Sequence, residues 1–123
     1  MNIELVQADY HNEQHGKDLV FLLNEYAEDP MGGGEPLSDF VQANLVDKLK
    51  LQTNVFSVLC YVDNAPAGLI NCVEAFSTFS AKPLVNIHDV SVSKKFRGKG
   101  LSKLMFAKVE EIAKAKGCCK LTL

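Results

Sequence analysis

One segment of the chain, residues 90–102, constrains the fold more than any other. It begins with the β-branched residues Val90 and Val92 and continues through a basic loop that contains two glycines. Apolar residues then recur at spacings of three and four, at Leu101, Leu104, Met105, Val109 and Ile112. This pattern predicts a strand, a tight loop and a helix in direct succession. Because the first amide groups of a helix lack partners and its dipole favours anions, the segment predicts a phosphate site.

The composition is that of an ordinary globular protein, with 47% hydrophobic and 23% charged residues among 123. That length suits one core, so we expect a single domain over 1–123. No apolar run approaches the roughly 20 residues of a membrane helix, and the N-terminus does not resemble a signal peptide. The four cysteines, Cys60, Cys72, Cys118 and Cys119, lie in apolar runs without metal-ligand spacing. We therefore expect buried reduced thiols, no metal and a cytoplasmic location.

Charge is distributed unevenly along the chain, although the net charge is only −2. Residues 1–47 hold ten acidic side chains and one basic one, Lys17, whereas residues 94–120 hold nine of the thirteen basic residues. Solvated helix faces account for most of these charges. The basic cluster at Lys94, Lys95, Arg97 and Lys99 surrounds two glycines, which favours an anion-binding role for this end of the chain.

Hydrophobic periodicity and turn residues divide the chain into eight elements. We expect strands at 3–8, 54–62, 67–77 and 84–93 and from 118, and helices at 13–28, 38–51 and 101–116. Ser38 is the expected N-cap of the second helix, and Gly117 is expected to end the third. The order β-α-α-β-β-β-α-β predicts an α/β fold with one mixed sheet and helices on both faces, because a hairpin gives antiparallel neighbours and a strand–helix–strand crossover gives a parallel pair.

The loop itself resembles a family motif. The segment Arg97-Gly98-Lys99-Gly100-Leu101-Ser102 is similar to the Arg/Gln-x-x-Gly-x-Gly/Ala motif of the GNAT superfamily of acyl-coenzyme A-dependent N-acetyltransferases. Arg97 and Gly100 match, Val92 has the usual spacing, and Ser102 stands in place of the last Gly/Ala. The nucleotide-binding pattern Gly-x-x-x-x-Gly-Lys-Ser/Thr is absent. Members of this family normally continue with a helix and two strands after the strand near Cys118, so we interpret the chain as a fragment or as a domain completed by something else.

The resemblance implies a co-substrate, acetyl-coenzyme A, and a place for it. Its pyrophosphate is expected on the backbone amides of Gly98, Lys99, Gly100, Leu101 and Ser102, with charge added by Arg97 and Lys99. Its pantetheine arm is expected to pair with backbone groups near Val90 and Val92. The amide of Val90 is a candidate to polarise the thioester carbonyl.

The amine acceptor must lose a proton before it attacks, and three residues are candidate bases: His88, Asp89 and Glu74. His88 and Asp89 precede Val92 by four and three residues, where related enzymes often carry an acidic pair. Because successive strand residues face opposite sides, we expect only one of this pair to face the acceptor cleft. A structural role for either residue, and a water chain to solvent, remain alternatives. The family's usual acid, a tyrosine on a later helix, has no counterpart here.

The acceptor and other partners are less constrained by the sequence. Tyr26, Glu28, Asp29 and Glu35 lie in or beside the predicted acceptor loop, which favours a cationic small-molecule or peptide amine. The alternative is a non-catalytic acyl-coenzyme A-binding or protein-interaction module. Nucleic acid is not expected as a partner, because Phe96 is the only aromatic residue in the basic cluster, and no membrane partner is expected. The apolar edge 121–123 predicts a homodimer through an exposed strand.

Overall fold

Five strands form one sheet in the order β1–β2–β3–β4–β5 in a computed structural model that describes residues 1–123. The strands are β1 (Ile3–Gln7), β2 (Val55–Val62), β3 (Ala65–Ser77), β4 (Lys82–Val92) and β5 (Leu121–Thr122). The helices are α1 (Glu13–Glu28), α2 (Asp39–Lys50) and α3 (Leu101–Ala115), with 3₁₀ turns at Pro30–Gly32 and Lys94–Phe96. Strands β1 to β4 are antiparallel, and β5 is parallel to β4. The predicted α/β fold with a mixed sheet is confirmed.

Helices cover both faces of this sheet, as predicted, and each face has its own core. The α3 face buries Val58, Ile70, Val85, Ile87, Met105 and Val109, among others. The opposite face buries Leu19, Leu22, Leu59, Tyr61 and Leu69, with Leu45 and Leu49 of α2 packed against them. None of the helices is long and apolar enough to cross a bilayer.

The three helices begin differently, and the difference matters for function. The Asn12 side chain accepts a hydrogen bond from the His15 amide at 3.0 Å, and Ser38 accepts one from the Val41 amide at 3.2 Å, so α1 and α2 are capped. Helix α3 begins after Gly100, which has no side chain to cap it. Gly117 follows α3 with φ of +76°, as its predicted role requires. The start of α3 is therefore the one helix start left open to a ligand.

The end of the chain departs from the sequence-based expectation. Strand β5 begins at Leu121 rather than at Cys118, and it pairs with β4 only at Val85 and Asn86. All four cysteines are free, and Cys60 and Cys72 are buried as predicted. Cys119 is exposed, so the expectation of four buried thiols is wrong there, because residues 118–120 precede the strand instead of belonging to it. Self-association through β5 stays a prediction.

Replacing Gly68 with valine should lower the free energy of unfolding by about 1–3 kcal/mol. Gly68 faces α3, and a Cβ there would lie 2.8 Å from both Sδ and Cε of the fully buried Met105. Denaturant unfolding of Gly68→Val, Met105→Ala and the double variant forms a double-mutant cycle. A strong positive coupling is expected, because the truncated Met105 makes room for valine. Additive effects would contradict this contact as the reason for glycine.

Candidate active site

The loop before α3 has the geometry that an anionic diphosphate needs. Gly98 and Gly100 adopt φ of +79° and +74°, and a Cβ on either would meet nothing within 4 Å. The amides of residues 98–102 donate no hydrogen bond to the protein. Free N–H groups at a helix start, with open space above the glycines, form an anion-binding concavity. The pyrophosphate of acetyl-coenzyme A fits these residues, including the irregular position Ser102.

Arg97 is held by the protein, which refines its expected role. Its Nη2 atom lies 3.2 Å from Oδ2 of Asp29, and its Nε atom donates to the Val92 carbonyl oxygen at 3.2 Å. The amide of Met31 and then the Arg97 guanidinium lower the pKa of Asp29 below its usual value. Arg97 therefore joins the end of α1 to the end of β4 and shapes the loop. Its Nη1 atom makes no hydrogen bond within the protein.

Glu25 of α1 makes a second link to this loop that the sequence analysis missed. Its carboxylate accepts hydrogen bonds from the Lys94 amide at 3.0 Å and from the Ser93 hydroxyl at 3.2 Å. These partners lie almost 70 positions away along the chain, and no local pattern connects them. The end of α1 is thus attached to the basic loop at two points, through Glu25 and through Asp29.

The outer edge of β4 is open just before this loop. The Ser93 amide donates to the Ala67 carbonyl of β3 at 2.8 Å. Because backbone groups alternate along an antiparallel strand, those of Val90 and Val92 point to the opposite edge, where the Val92 carbonyl oxygen already accepts from Arg97. Strand β5 pairs with β4 only at Val85 and Asn86, so no strand covers that edge at Val90. This edge can accept an extended amide-containing chain such as pantetheine.

His88 and Asp89 both line the same pocket, although the alternation of strand residues predicts that only one of the two side chains faces the cleft. Asn71 pairs with Asp89 and Cys72 pairs with Ile87, so His88 is an extra residue in β4. Such a bulge interrupts the alternation of side chains. Both residues consequently line one pocket of about 210 Å³ over β2, β3 and β4. Its other lining residues are Tyr10, Leu23, Leu45, Leu49, Val55, Phe56, Ser57, Asn71, Cys72 and Val73.

A chain of hydrogen bonds crosses the floor of this pocket and ends on Asp89. The Tyr10 and Ser57 hydroxyls lie 2.9 Å apart, and Ser57 donates to Oδ1 of Asn71 at 2.6 Å. Nδ2 of Asn71 donates to Oδ2 of Asp89 at 3.1 Å. His88 makes no side-chain hydrogen bond and is exposed. Asp89 is therefore fixed in place, while the imidazole is free to meet a ligand.

Glu74, the third candidate base, lies on the other face of the sheet. It pairs across β3 and β4 with Val85, a residue of the α3 core, and its Oε2 atom lies 3.6 Å from Nζ of Lys116. The structure does not bring it together with His88 and Asp89. Glu74 is two residues from Cys72 along β3, so the two side chains lie on the same face of the sheet. That face is the one covered by α3.

The acidic residues chosen for the acceptor by charge alone do not line this pocket. Asp29 is paired with Arg97, and Glu28 accepts a hydrogen bond from Asn24 at 3.0 Å. Tyr26 and Glu35 are also absent from the lining. The carboxylate that faces the pocket is that of Asp89.

A separate open groove of about 680 Å³, larger than this pocket, lies between α1 and α2. It includes neither His88 nor Asp89, nor any residue of the loop before α3. Tyr10 lines both cavities. The smaller pocket, which adjoins the open edge of β4, is the better candidate site because it combines an imidazole with a carboxylate.

Comparison with known proteins agrees with this geometry. The model of the acetyltransferase (GNAT) family matches residues 19–123. The thialysine N-epsilon-acetyltransferase of Caenorhabditis elegans is 26% identical over 123 residues, covering 98% of this chain and 71% of the relative. A GNAT family acetyltransferase of Staphylococcus aureus has a TM-score of 0.81 at 22% identity, with 100% of this chain and 86% of that chain covered. The ribosomal-protein-alanine N-acetyltransferase of Brucella melitensis has a TM-score of 0.80 at 15% identity, with 99% and 79% covered. The chain belongs to the GNAT family of acetyltransferases.

Proposed function

We propose that this acetyltransferase moves the acetyl group of acetyl-coenzyme A to a primary amine at the end of an unbranched aliphatic chain. The observation that carries the proposal is the bulge at His88, where a residue with an imidazole and one with a carboxylate line the same pocket on β4. The uncapped start of α3 follows that edge after the short basic loop. Donor and acceptor would therefore meet at the middle of β4.

The donor side is supported by three neighbouring features. The free amides of residues 98–102 suit the pyrophosphate, and the open edge of β4 suits the pantetheine arm. The Val90 amide points to the same edge, and its proposed role is to donate a hydrogen bond to the thioester carbonyl oxygen. A donor aimed at the oxygen that gains charge lowers the barrier to attack.

The acceptor side combines one fixed anion with apolar walls. Asp89 would hold the ammonium group through a charge-assisted hydrogen bond. Leu23, Leu45 and Leu49 of α1 and α2 line the same pocket and would contact an alkyl chain. The C. elegans relative is named for acetylation of thialysine at an ε-nitrogen, which supports an acceptor nitrogen at the end of a chain.

His88 is the proposed proton acceptor. An alkylammonium ion titrates near pH 10, whereas imidazole changes charge between about pH 5 and 8 and can accept its proton at neutral pH. The neutral nitrogen then attacks the thioester carbonyl carbon, a C–N bond forms, and the C–S bond breaks with its electron pair left on sulfur. The nitrogen loses a second proton as the amide forms, and the sulfur takes one up. The transfer is direct, without a covalent intermediate on the protein.

An assay with isomeric amines tests this proposal. Release of free thiol from acetyl-coenzyme A should accompany acetylation of n-butylamine and 1,4-diaminobutane. Isobutylamine has the composition of n-butylamine but a branched chain. We therefore expect its kcat/KM to be lower than that of n-butylamine by a factor of about ten or more. The mass of each product should exceed that of the starting amine by one acetyl group for each amino group that is acetylated. Calorimetric binding of coenzyme A without turnover of any amine would instead favour the non-catalytic acyl-coenzyme A-binding module.

A further inference from the structure

We propose that Asn71 is a positioning residue that aims the Asp89 carboxylate at the acceptor ammonium, with Ser57 and Tyr10 holding Asn71 in turn. This inference rests on the proposed function and adds to it the residues that decide how the amine is held. Its basis is the hydrogen-bond chain that runs from Tyr10 through Ser57 and Asn71 to Asp89.

The direction of every hydrogen bond in this chain follows from its last member. An ionised carboxylate only accepts hydrogen bonds, so Asn71 must turn its NH₂ group toward Asp89. The amide oxygen of Asn71 then faces Ser57, which uses its single hydroxyl hydrogen to donate to it. The Ser57 oxygen is left to accept from Tyr10. All three donors therefore point toward Asp89.

The arrangement leaves the two oxygens of Asp89 in different situations. Oδ2 accepts from Asn71, whereas Oδ1 accepts no hydrogen bond from the protein. Two facts suggest that Oδ1 is reserved for a ligand: Asp89 lines the pocket, and no other cationic or donor side chain of the lining is bonded to it. An ammonium ion supplies the donor that this oxygen lacks.

The residues around this hydrogen-bond chain keep the direction of its donors unchanged near neutral pH. The other titratable groups of the pocket are Tyr10, Cys72 and His88, and both helices that cover it present leucines there. Burial raises the pKa of Tyr10 above its usual value and that of Cys72 to about 12, so both stay neutral. The direction of the donors is then maintained over the working range.

Substituting the members of this hydrogen-bond chain one at a time should raise the KM for the amine, by an amount that depends on the distance from Asp89. We expect Asn71→Leu to raise the KM for n-butylamine about tenfold, because a hydrogen bond to a charged group is lost. Ser57→Ala should have a smaller effect, and Tyr10→Phe the smallest. The Kd for coenzyme A should stay within twofold in all three, since none of these residues lies on the loop before α3 or on the edge of β4.

The matched control is Asn86→Leu, the same substitution on β4 at an asparagine whose Nδ2 donates to Thr122 instead. We expect its amine KM to equal that of the parent. A second readout needs no turnover: the side-chain amide signal of Asn71 in ¹H–¹⁵N spectra should shift as Asp89 takes up a proton at low pH, and Asp89→Asn should abolish that shift.

The outcomes separate this inference from the proposed function. A parent protein that acetylates n-butylamine, together with an unchanged KM in Asn71→Leu, overturns the positioning role alone. Equal losses of stability and activity in Asn71→Leu and Asn86→Leu, measured by denaturant unfolding and by KM, also overturn it. If the parent protein turns over no amine, the proposed function is refuted. The claim that Asn71 aims Asp89 at an acceptor ammonium is then refuted as well.

Discussion

Gly100→Glu should abolish measurable binding of coenzyme A, with the Kd raised about 100-fold or more, equivalent to at least about 2.7 kcal/mol. The new side chain would enter the space above the glycine, where nothing lies within 4 Å, and its carboxylate would oppose the pyrophosphate. Non-glycine residues are also disfavoured at φ of +74°, so the loop that presents the amides would be distorted as well. Calorimetry with coenzyme A gives the affinity directly.

Gly117→Glu is the matched control for this substitution. Gly117 lies at the other end of the same helix and has φ of +76°, and a Cβ added there would likewise meet nothing within 4 Å. It should therefore suffer the same backbone strain, about 1–2 kcal/mol, without touching the ligand. Retained affinity in Gly117→Glu and lost affinity in Gly100→Glu would assign the effect to the loop before α3. Unchanged affinity in Gly100→Glu would show that the pyrophosphate binds elsewhere.

The elements and their order could be predicted from the sequence because their signals are local. The apolar spacing and the cap at Ser38 lie within one turn of the helices that they define, and α1 has the bounds that the periodicity predicts. The glycine-containing loop before α3 could be located for the same reason. Its glycines, its basic residues and the start of α3 are consecutive in the chain.

The pocket lined by His88 and Asp89 could not be predicted, because its signals are not local. The bulge at His88 arises from the register between β3 and β4, which the residues of β4 alone do not determine. Asn71 and Asp89 are 18 residues apart, and Lys94 and Glu25 are 69 apart. The acidic residues of the loop after α1 lie outside this pocket for a related reason. Asp29 has the expected sign, but its carboxylate is occupied by Arg97.

His88→Gln should lower kcat about 100-fold at neutral pH, in the range that a general base contributes. Glutamine can hydrogen-bond but cannot take the ammonium proton, so the variant depends on the small fraction of amine that is already neutral. That fraction rises with pH until the amine's own pKa, near 10, is reached. The deficit in kcat should therefore shrink as the pH rises, whereas the parent rate should level off once imidazole is neutral. Steady-state rates between about pH 6 and 10 measure both profiles.

Asp89→Asn provides the contrast that separates the two roles in the pocket. An asparagine keeps the shape but loses the negative charge that would hold the ammonium, so its main effect should be a higher KM for the amine rather than a lower kcat. If His88→Gln raised KM and Asp89→Asn lowered kcat, the carboxylate would be the base and the imidazole the binding group. Because both residues line one pocket, this exchange of roles is the specific alternative that the geometry allows. The pH profile decides between them, since a carboxylate base would leave kcat nearly constant above about pH 6.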